Sequence, residues 1–127
     1  MKVILHTIVA GMILFACTSQ SNENMNKKVE TIELVIYKVK EGVTDGKALL
    51  AATSVNDFIK SQPGFIARKL SQSPDGKWVD MIYWESLTAA QNANEKAMKS
   101  PATASFFDII SQKEIQFYHL TPKLEIN

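Results

Sequence analysis

One histidine, His119, follows the lone cysteine Cys17, so any imidazole-based acid-base step in the chain after that cysteine must use it. A second group with acid-base capacity is Asp80, which interrupts the apolar run WVDMIYW and shares the alternation of Trp78, Ile82 and Trp84. An ionised carboxylate is seldom buried unpaired. Asp80 therefore either pairs with a cation such as Arg68 or sits in a cleft with a raised pKa and acts as a base. Trp84 offers a flat apolar surface for an aromatic ligand, and Tyr37, Tyr83 and Tyr118 could donate phenolic hydrogen bonds, although strand tyrosines more often serve as core or interface. Catalysis, where present, falls to His119 and Asp80, and ligand contact to Trp84, Tyr37 and Tyr83.

Other chemistries find no support. The sequence has no Gly-rich phosphate loop, no metal-ligand cluster and no Ser-His-Asp spacing that one histidine could complete. With a single cysteine there is neither a disulfide framework nor a thiolate metal site. No metal is expected.

These side chains must be positioned by a domain of roughly 100 residues from Val29 onward, enough for one core. Ile32–Val39 is rich in β-branched and aromatic residues and reads as a strand. Asp45 serves as N-cap for a helix reaching Lys60, with Leu49, Ala52, Asn56 and Ile59 on one face, flanked by Leu50 and Phe58. Phe65–Ser71 and Lys77–Glu85 flank Ser73-Pro74-Asp75-Gly76, in which Pro presets the turn and Gly supplies a positive φ, so the two runs form an antiparallel hairpin. Ser86 caps a second helix whose alanines, Ala89, Ala90, Ala93 and Ala97, allow close approach to a sheet; Ser100-Pro101 breaks and restarts it. Glu114–Leu120 is the last strand.

The order β-α-β-β-α-β predicts an α+β, ferredoxin-like domain: a four-stranded antiparallel sheet with two helices on one face. Strands three and four then run the same way on either side of strand one. Trp84 and His119 fall at the same end of the sheet, two strand spacings or roughly 10 Å apart. Strand one alternates Ile32, Leu34, Ile36 with Val35, Tyr37, Val39, and strand three alternates Trp78, Ile82, Trp84 with Val79, Met81, Tyr83, so both sheet faces are apolar. An uncovered apolar face is a partner surface, and a homodimer packed sheet to sheet covers it most simply.

The residues Gln62-Pro63-Gly64-Phe65, the strand ending Ile82-Tyr83-Trp84-Glu85-Ser86 and the Ala-rich helix after it resemble the dimeric α/β-barrel family, in its antibiotic-biosynthesis-monooxygenase branch. The resemblance spans the domain from residue 29 to 127 and implies a ferredoxin-like protomer, sheets facing in a homodimer, and a pocket between sheet and helices. Functions in that family range from cofactor-independent oxidation of quinol-like or anthrone-like aromatics to haem degradation and isomerisation, so the fold alone selects no reaction. Trp84 matches a Trp that lines the pocket in haem-degrading members. Their strand-one Asn is replaced here by Val35, and their haem-ligating His falls where this chain reads Ala104-Ser105-Phe106-Phe107. Two of the three groups are replaced, which disfavours haem degradation. The resemblance favours a cofactor-independent monooxygenase acting on a small aromatic or quinol-like molecule, with a non-enzymatic module binding an apolar ligand or a protein partner as the alternative.

The N-terminus reads as an export signal. Lys2 precedes the apolar run VILHTIVAGMILFA, too short for a bilayer span of about 20 residues but suited to a signal-peptide core. Leu14-Phe15-Ala16-Cys17 resembles the lipobox of bacterial lipoproteins, which implies cleavage after residue 16, lipidation of Cys17, and a lipid-anchored position in the bacterial envelope. Residues 17–28 lack aromatic and aliphatic side chains except Met25 and read as a flexible tether. The whole chain has 14 basic and 13 acidic residues; removing 1–16 takes away Lys2 and no acid, leaving 13 of each and a formal charge of zero. No nucleic-acid partner is expected from that balance.

Overall fold

The computed structural model describes residues 27–126. The expected signal segment 1–16, Cys17 and most of the expected tether lie outside the described residues. No helix among those described is long and apolar enough to cross a membrane.

Four strands, β1 (Thr31–Tyr37), β2 (Phe65–Gln72), β3 (Trp78–Trp84) and β4 (Gln116–Leu120), form one sheet in the order β2-β3-β1-β4, with every neighbouring pair antiparallel. With the helices α1 (Asp45–Ser54), α2 (Asn56–Lys60), α3 (Leu87–Ala97) and α4 (Pro101–Ile109), this is the ferredoxin-like βαββαβ order. The sheet is open, with β2 and β4 as its edges, and does not close into a barrel within one chain.

The two expected helices are each broken in two. After α1, Thr53 Oγ1 donates to the Leu49 carbonyl at 2.8 Å and Ser54 Oγ to that of Ala51 at 2.7 Å, a side-chain competition for helix carbonyls that ends the run at Val55 (φ −88°, ψ −2°). The second break falls at Ser100-Pro101, where Ser100 caps α4 and Pro occupies its first turn. Ser86 caps α3, its hydroxyl accepting from Ala89 N at 3.0 Å. The cap of α1 is Thr44 and not Asp45, which sits in the first turn and complements the helix dipole there.

The phase of α1 also differs from expectation. Its sheet-facing residues are Ala48 and Ala52, followed by Val55, while Leu49 and Leu50 are 53% and 73% exposed. Small side chains let the helix lie close to the sheet, and the bulkier leucines turn outward.

Gly64 shows the same closeness at α3. Its φ is +85°, and an added Cβ would fall 2.5 Å from the Ala89 Cβ. Gly76 closes the β2–β3 turn with φ +84°, its N–H donating to the Ser73 carbonyl at 2.9 Å.

The two central strands, β1 and β3, present alternate residues to the helices. Thr31, Glu33 and Tyr37 of β1 and Trp78, Asp80, Ile82 and Trp84 of β3 are buried there. Two apolar clusters result, one joining Tyr37, Trp78, Val55 and Phe106 beneath α1 and α4, the other joining Ile82, Trp84, Ala90 and Ala93 beneath α3. The opposite face carries Ile32, Leu34, Ile36, Val79, Met81 and Tyr83, all half-buried, with Tyr118 and Leu120 exposed, and no element among the described residues covers it.

Candidate functional site

Between the two clusters lies a cavity of about 340 Å³. Its floor is the sheet: Glu33, Val35 and Tyr37 from β1, Asp80, Ile82 and Trp84 from β3, and Phe117 from β4. Its roof comes from Phe58 and Ile59 of α2, Ala93 and Ala97 of α3, and Phe106 and Phe107 of α4. Gln62, Asn94, Thr103 and Gln112 add uncharged polar groups. Ile115 and Phe117, each 42% exposed, stand where the cavity meets the β4 edge. A concave, mostly apolar space with a few polar groups is the usual form of a small-molecule site.

The strand periodicity puts Trp84 on this face. Thr31 faces Trp84 across the β1–β3 ladder and Glu33 faces Ile82, so Trp84 and Glu33 are diagonal neighbours on one side of the sheet. Trp84 is 1% exposed and packs edge-on against Phe65 at 6.0 Å. Its indole N–H is buried without a partner among the described residues. An unpaired buried donor costs about 1–3 kcal/mol, and a ligand oxygen in the cavity would relieve that cost.

Asp80 is held by Arg68. Arg68 Nε donates to Oδ1 at 2.9 Å and Nη2 to Oδ2 at 2.6 Å, a two-pronged pair in which both side chains are nearly buried. Arg68 Nη1 is also used, donating to the Ala52 carbonyl at 2.7 Å and Asn56 Oδ1 at 2.8 Å. Of the two roles open to Asp80 from the sequence, the geometry is that of the paired carboxylate; it borders the cavity with both oxygens engaged.

His119 shares the face of Trp84, since it lies directly opposite Glu33 in the β1–β4 ladder. The ring packs edge-on against Phe117 at 4.9 Å, and Nε2 lies 3.0 Å from Glu33 Oε2. His119 is not itself a lining residue; it stands behind Glu33, which is. Glu33 is the site residue that the sequence did not single out. It is 7% exposed, and burial pushes its carboxyl above the ordinary range, with the hydrogen bond and charge of His119 opposing that push and nearby Asp80 adding to it.

The tyrosines divide. Tyr37 lines the cavity, packs edge-on against Phe106 at 5.8 Å, and has a hydroxyl driven up chiefly by burial and then by Asp80, against the pull of Arg68, so it stays protonated at neutral pH. Tyr83 lies on the outer face, because it alternates with Ile82 and Trp84; its hydroxyl reaches Met81 Sδ at 3.9 Å and Lys69 Nζ stands 5.9 Å from its ring. It does not border the cavity. Among the described residues no group of three or more His, Cys, Asp or Glu is placed to hold a metal ion.

Comparison with known proteins places the architecture. No family model and no curated protein sequence matches the chain. Solved structures do. SnoaB, a cofactor-independent oxygenase from Streptomyces nogalater, superposes with a TM-score of 0.65 at 15% identity, covering 78% of this chain and 98% of that one. A monooxygenase of Streptomyces coelicolor in complex with nanaomycin D gives 0.60 at 24% identity, covering 83% and 97%. A dimeric ferredoxin-like protein from an uncultured marine organism gives 0.59 at 11% identity, covering 80% and 94%. At these identities the likeness is one of fold: the chain shares the ferredoxin-like α+β architecture of these proteins.

Proposed function

We propose that the cavity between sheet and helices binds a small, flat aromatic or quinol-like molecule and that dioxygen oxidises it there without a bound cofactor. The observation that carries this reading is a mostly apolar cavity of about 340 Å³ between sheet and helices, lined by aromatic side chains, the buried Glu33 carboxylate and Trp84, whose indole N–H has no partner among the described residues. Aromatic walls favour a flat ligand, and exclusion of water strengthens each polar contact inside. The fold likeness to a cofactor-independent oxygenase and to a monooxygenase holding nanaomycin D supports the same class of chemistry.

For an anthrone-like substrate the reaction balances as one ring CH2 and one O2 giving one ring C=O and one water, with the substrate oxidised and dioxygen reduced. The test is oxygen uptake with dithranol, a 1,8-dihydroxyanthrone, followed by product mass under ¹⁸O₂. One O2 consumed per quinone formed, with one ¹⁸O retained at the new carbonyl, is the expected result. Dithranol bound but consumed no faster than in buffer would leave the alternative, a non-enzymatic apolar-ligand module, which the scarcity of charged groups in the lining favours.

Two further parts of the reading concern where and with what the domain works. The outer sheet face, with Ile32, Leu34, Ile36, Val79 and Met81 open, supports a homodimer packed sheet to sheet, and a dimeric protein of the same fold adds to that support. The lipobox-like Leu14-Phe15-Ala16-Cys17 supports a lipid on Cys17 and a place at the bacterial envelope membrane. Mass spectrometry of the protein expressed in bacteria tests the second: a diacylglycerol-sized addition on an N-terminal Cys17 is expected, and an unmodified chain retaining residues 1–16 would contradict it.

A further inference from the structure

We infer that Glu33 is the group that takes a proton from the bound molecule, that His119 positions and unloads it, and that the site selects neutral weak acids. By this we mean molecules with a phenolic or enolisable proton and no charge of their own. The inference rests on the proposed aromatic occupant of the cavity.

Glu33 and Asp80 are two carboxylates on one face of neighbouring strands, Asp80 facing Val35 across the ladder and Glu33 lying two residues earlier. Their partners differ in kind. Asp80 receives a guanidinium, which never releases its proton and fixes both oxygens. Glu33 receives an imidazole, a group able both to accept and to donate a proton, and it is engaged through Oε2 alone, leaving the second oxygen without a partner among the described residues. Where two carboxylates are treated so differently, the environment assigns them different roles. Asp80 is structural, and Glu33 is the one that faces the cavity with an oxygen to spare.

The surroundings of Glu33 are otherwise poor in charge. From β1 comes Tyr37, from β3 Asp80 with Arg68 of β2 bound to it, and from β4 His119. The helix residues that line the cavity carry no charge, and Arg68 is spent on Asp80, Ala52 and Asn56. A ligand carboxylate or phosphate would thus meet carboxylates with no free cation to offset them. A neutral O–H or an enolisable C–H meets a base made stronger by burial.

The step balances. The substrate O–H or C–H bond breaks and its electron pair stays on the substrate, while the proton passes to the Glu33 carboxylate. Rotation of the protonated carboxyl brings the O–H to Nε2 of a neutral His119, which takes the proton, giving an imidazolium and restoring the carboxylate. The His119 side chain is 19% exposed, so the imidazolium can return the proton to water. No electron moves in this step.

The experiment follows the absorption spectrum of dithranol bound anaerobically across pH. The wild-type protein should show the dithranol anion at pH values where the free compound is neutral. Glu33→Gln should bind dithranol within about threefold and show only the neutral spectrum. In His119→Gln, which loses the imidazole charge that lowers the Glu33 pKa, the acidic limb should move to higher pH. Anthraquinone-2-carboxylate should bind at least roughly tenfold more weakly than anthraquinone to wild type, and that gap should close in Glu33→Gln. Anion formation by Glu33→Gln equal to wild type overturns the base, an unmoved limb in His119→Gln overturns the positioning role, and equal binding of the two anthraquinones overturns the selection of neutral ligands. In each case the binding site itself still stands. A wild-type protein that binds neither dithranol nor anthraquinone overturns the inference together with the proposed occupant.

Discussion

His119 Nε2 lies 3.0 Å from Glu33 Oε2, although 86 positions separate the two residues in the chain. The contact follows from the sheet order, because β4 inserts its edge beside β1 and brings residue 119 directly opposite residue 33. Being on neighbouring strands rather than on loops, the two groups are held in a fixed relation to the cavity.

Burial of Glu33 has a stability cost whose sign is definite. Its folded pKa is raised above the ordinary carboxylate value of 4.5, so the folded state binds more protons than the unfolded state between those two pKa values. Stability contributed by this group is therefore lost as pH rises through that window. Glu33→Gln should raise the Tm at pH 7 to 8, and the gain should shrink to nothing near pH 4. Matched thermal melts at the two pH values check this; a Tm that falls at neutral pH would mean that the carboxylate stabilises the fold.

Arg68 and Asp80 make the opposite case. Removing one partner of a buried pair strands the other, at a cost of about 3–5 kcal/mol. Arg68→Met alone should lose that much in urea denaturation, while Arg68→Met combined with Asp80→Leu should recover a large part of it, since only the Ala52 carbonyl and Asn56 Oδ1, both uncharged, then lose the donor that Arg68 supplied.

Gly64→Ala should destabilise the domain by more than the roughly 1–2 kcal/mol expected for a left-handed φ alone. The added methyl also collides with Ala89 at the start of α3. The control is Gly42→Ala, which has the same sign of φ but open space around it and should show the φ cost without the collision. Equal losses in the two variants would refute the close approach of α3.

On the outer face, Leu34 lies between Met81 and Tyr118 at the middle of the sheet. If two chains pack there, Leu34→Arg buries a charge in each half of the interface, and sedimentation equilibrium should show monomers where wild type shows dimers. The Glu33–His119 contact lies on the other face, so its pH signature should survive in that variant.

Much of this arrangement was readable in the sequence. Alternation in WVDMIYW put Trp78, Asp80, Ile82 and Trp84 on one face, and Pro74-Gly76 chemistry located the hairpin that brings Arg68 to Asp80. Small polar caps marked α3 and α4 correctly because Ser before an Ala-rich or Pro-led segment has few other uses. The phase of α1 was harder, since its buried stripe is made of alanines and its leucines face out. Side-chain size suggested the reverse of what close helix–sheet packing requires. Glu33 was hidden for a related reason: a charged residue inside an apolar strand reads as solvent-facing, and its partner is contributed by the far end of the chain. The signal was its parity, because Glu33 alternates in step with Val35 and Tyr37, the residues that point to the helices.

The account stands on the cavity being a ligand site. Ala97 lines it from α3, and Ala97→Phe fills part of it while leaving the sheet residues Glu33 and Trp84 unsubstituted. Anaerobic calorimetric titration of dithranol into wild type and Ala97→Phe tests the claim most directly. The account predicts saturable binding at one site per chain in wild type, weakened at least roughly tenfold, or about 1.4 kcal/mol, in a variant whose Tm is preserved. Equal affinity in the two proteins would place the ligand elsewhere and contradict it.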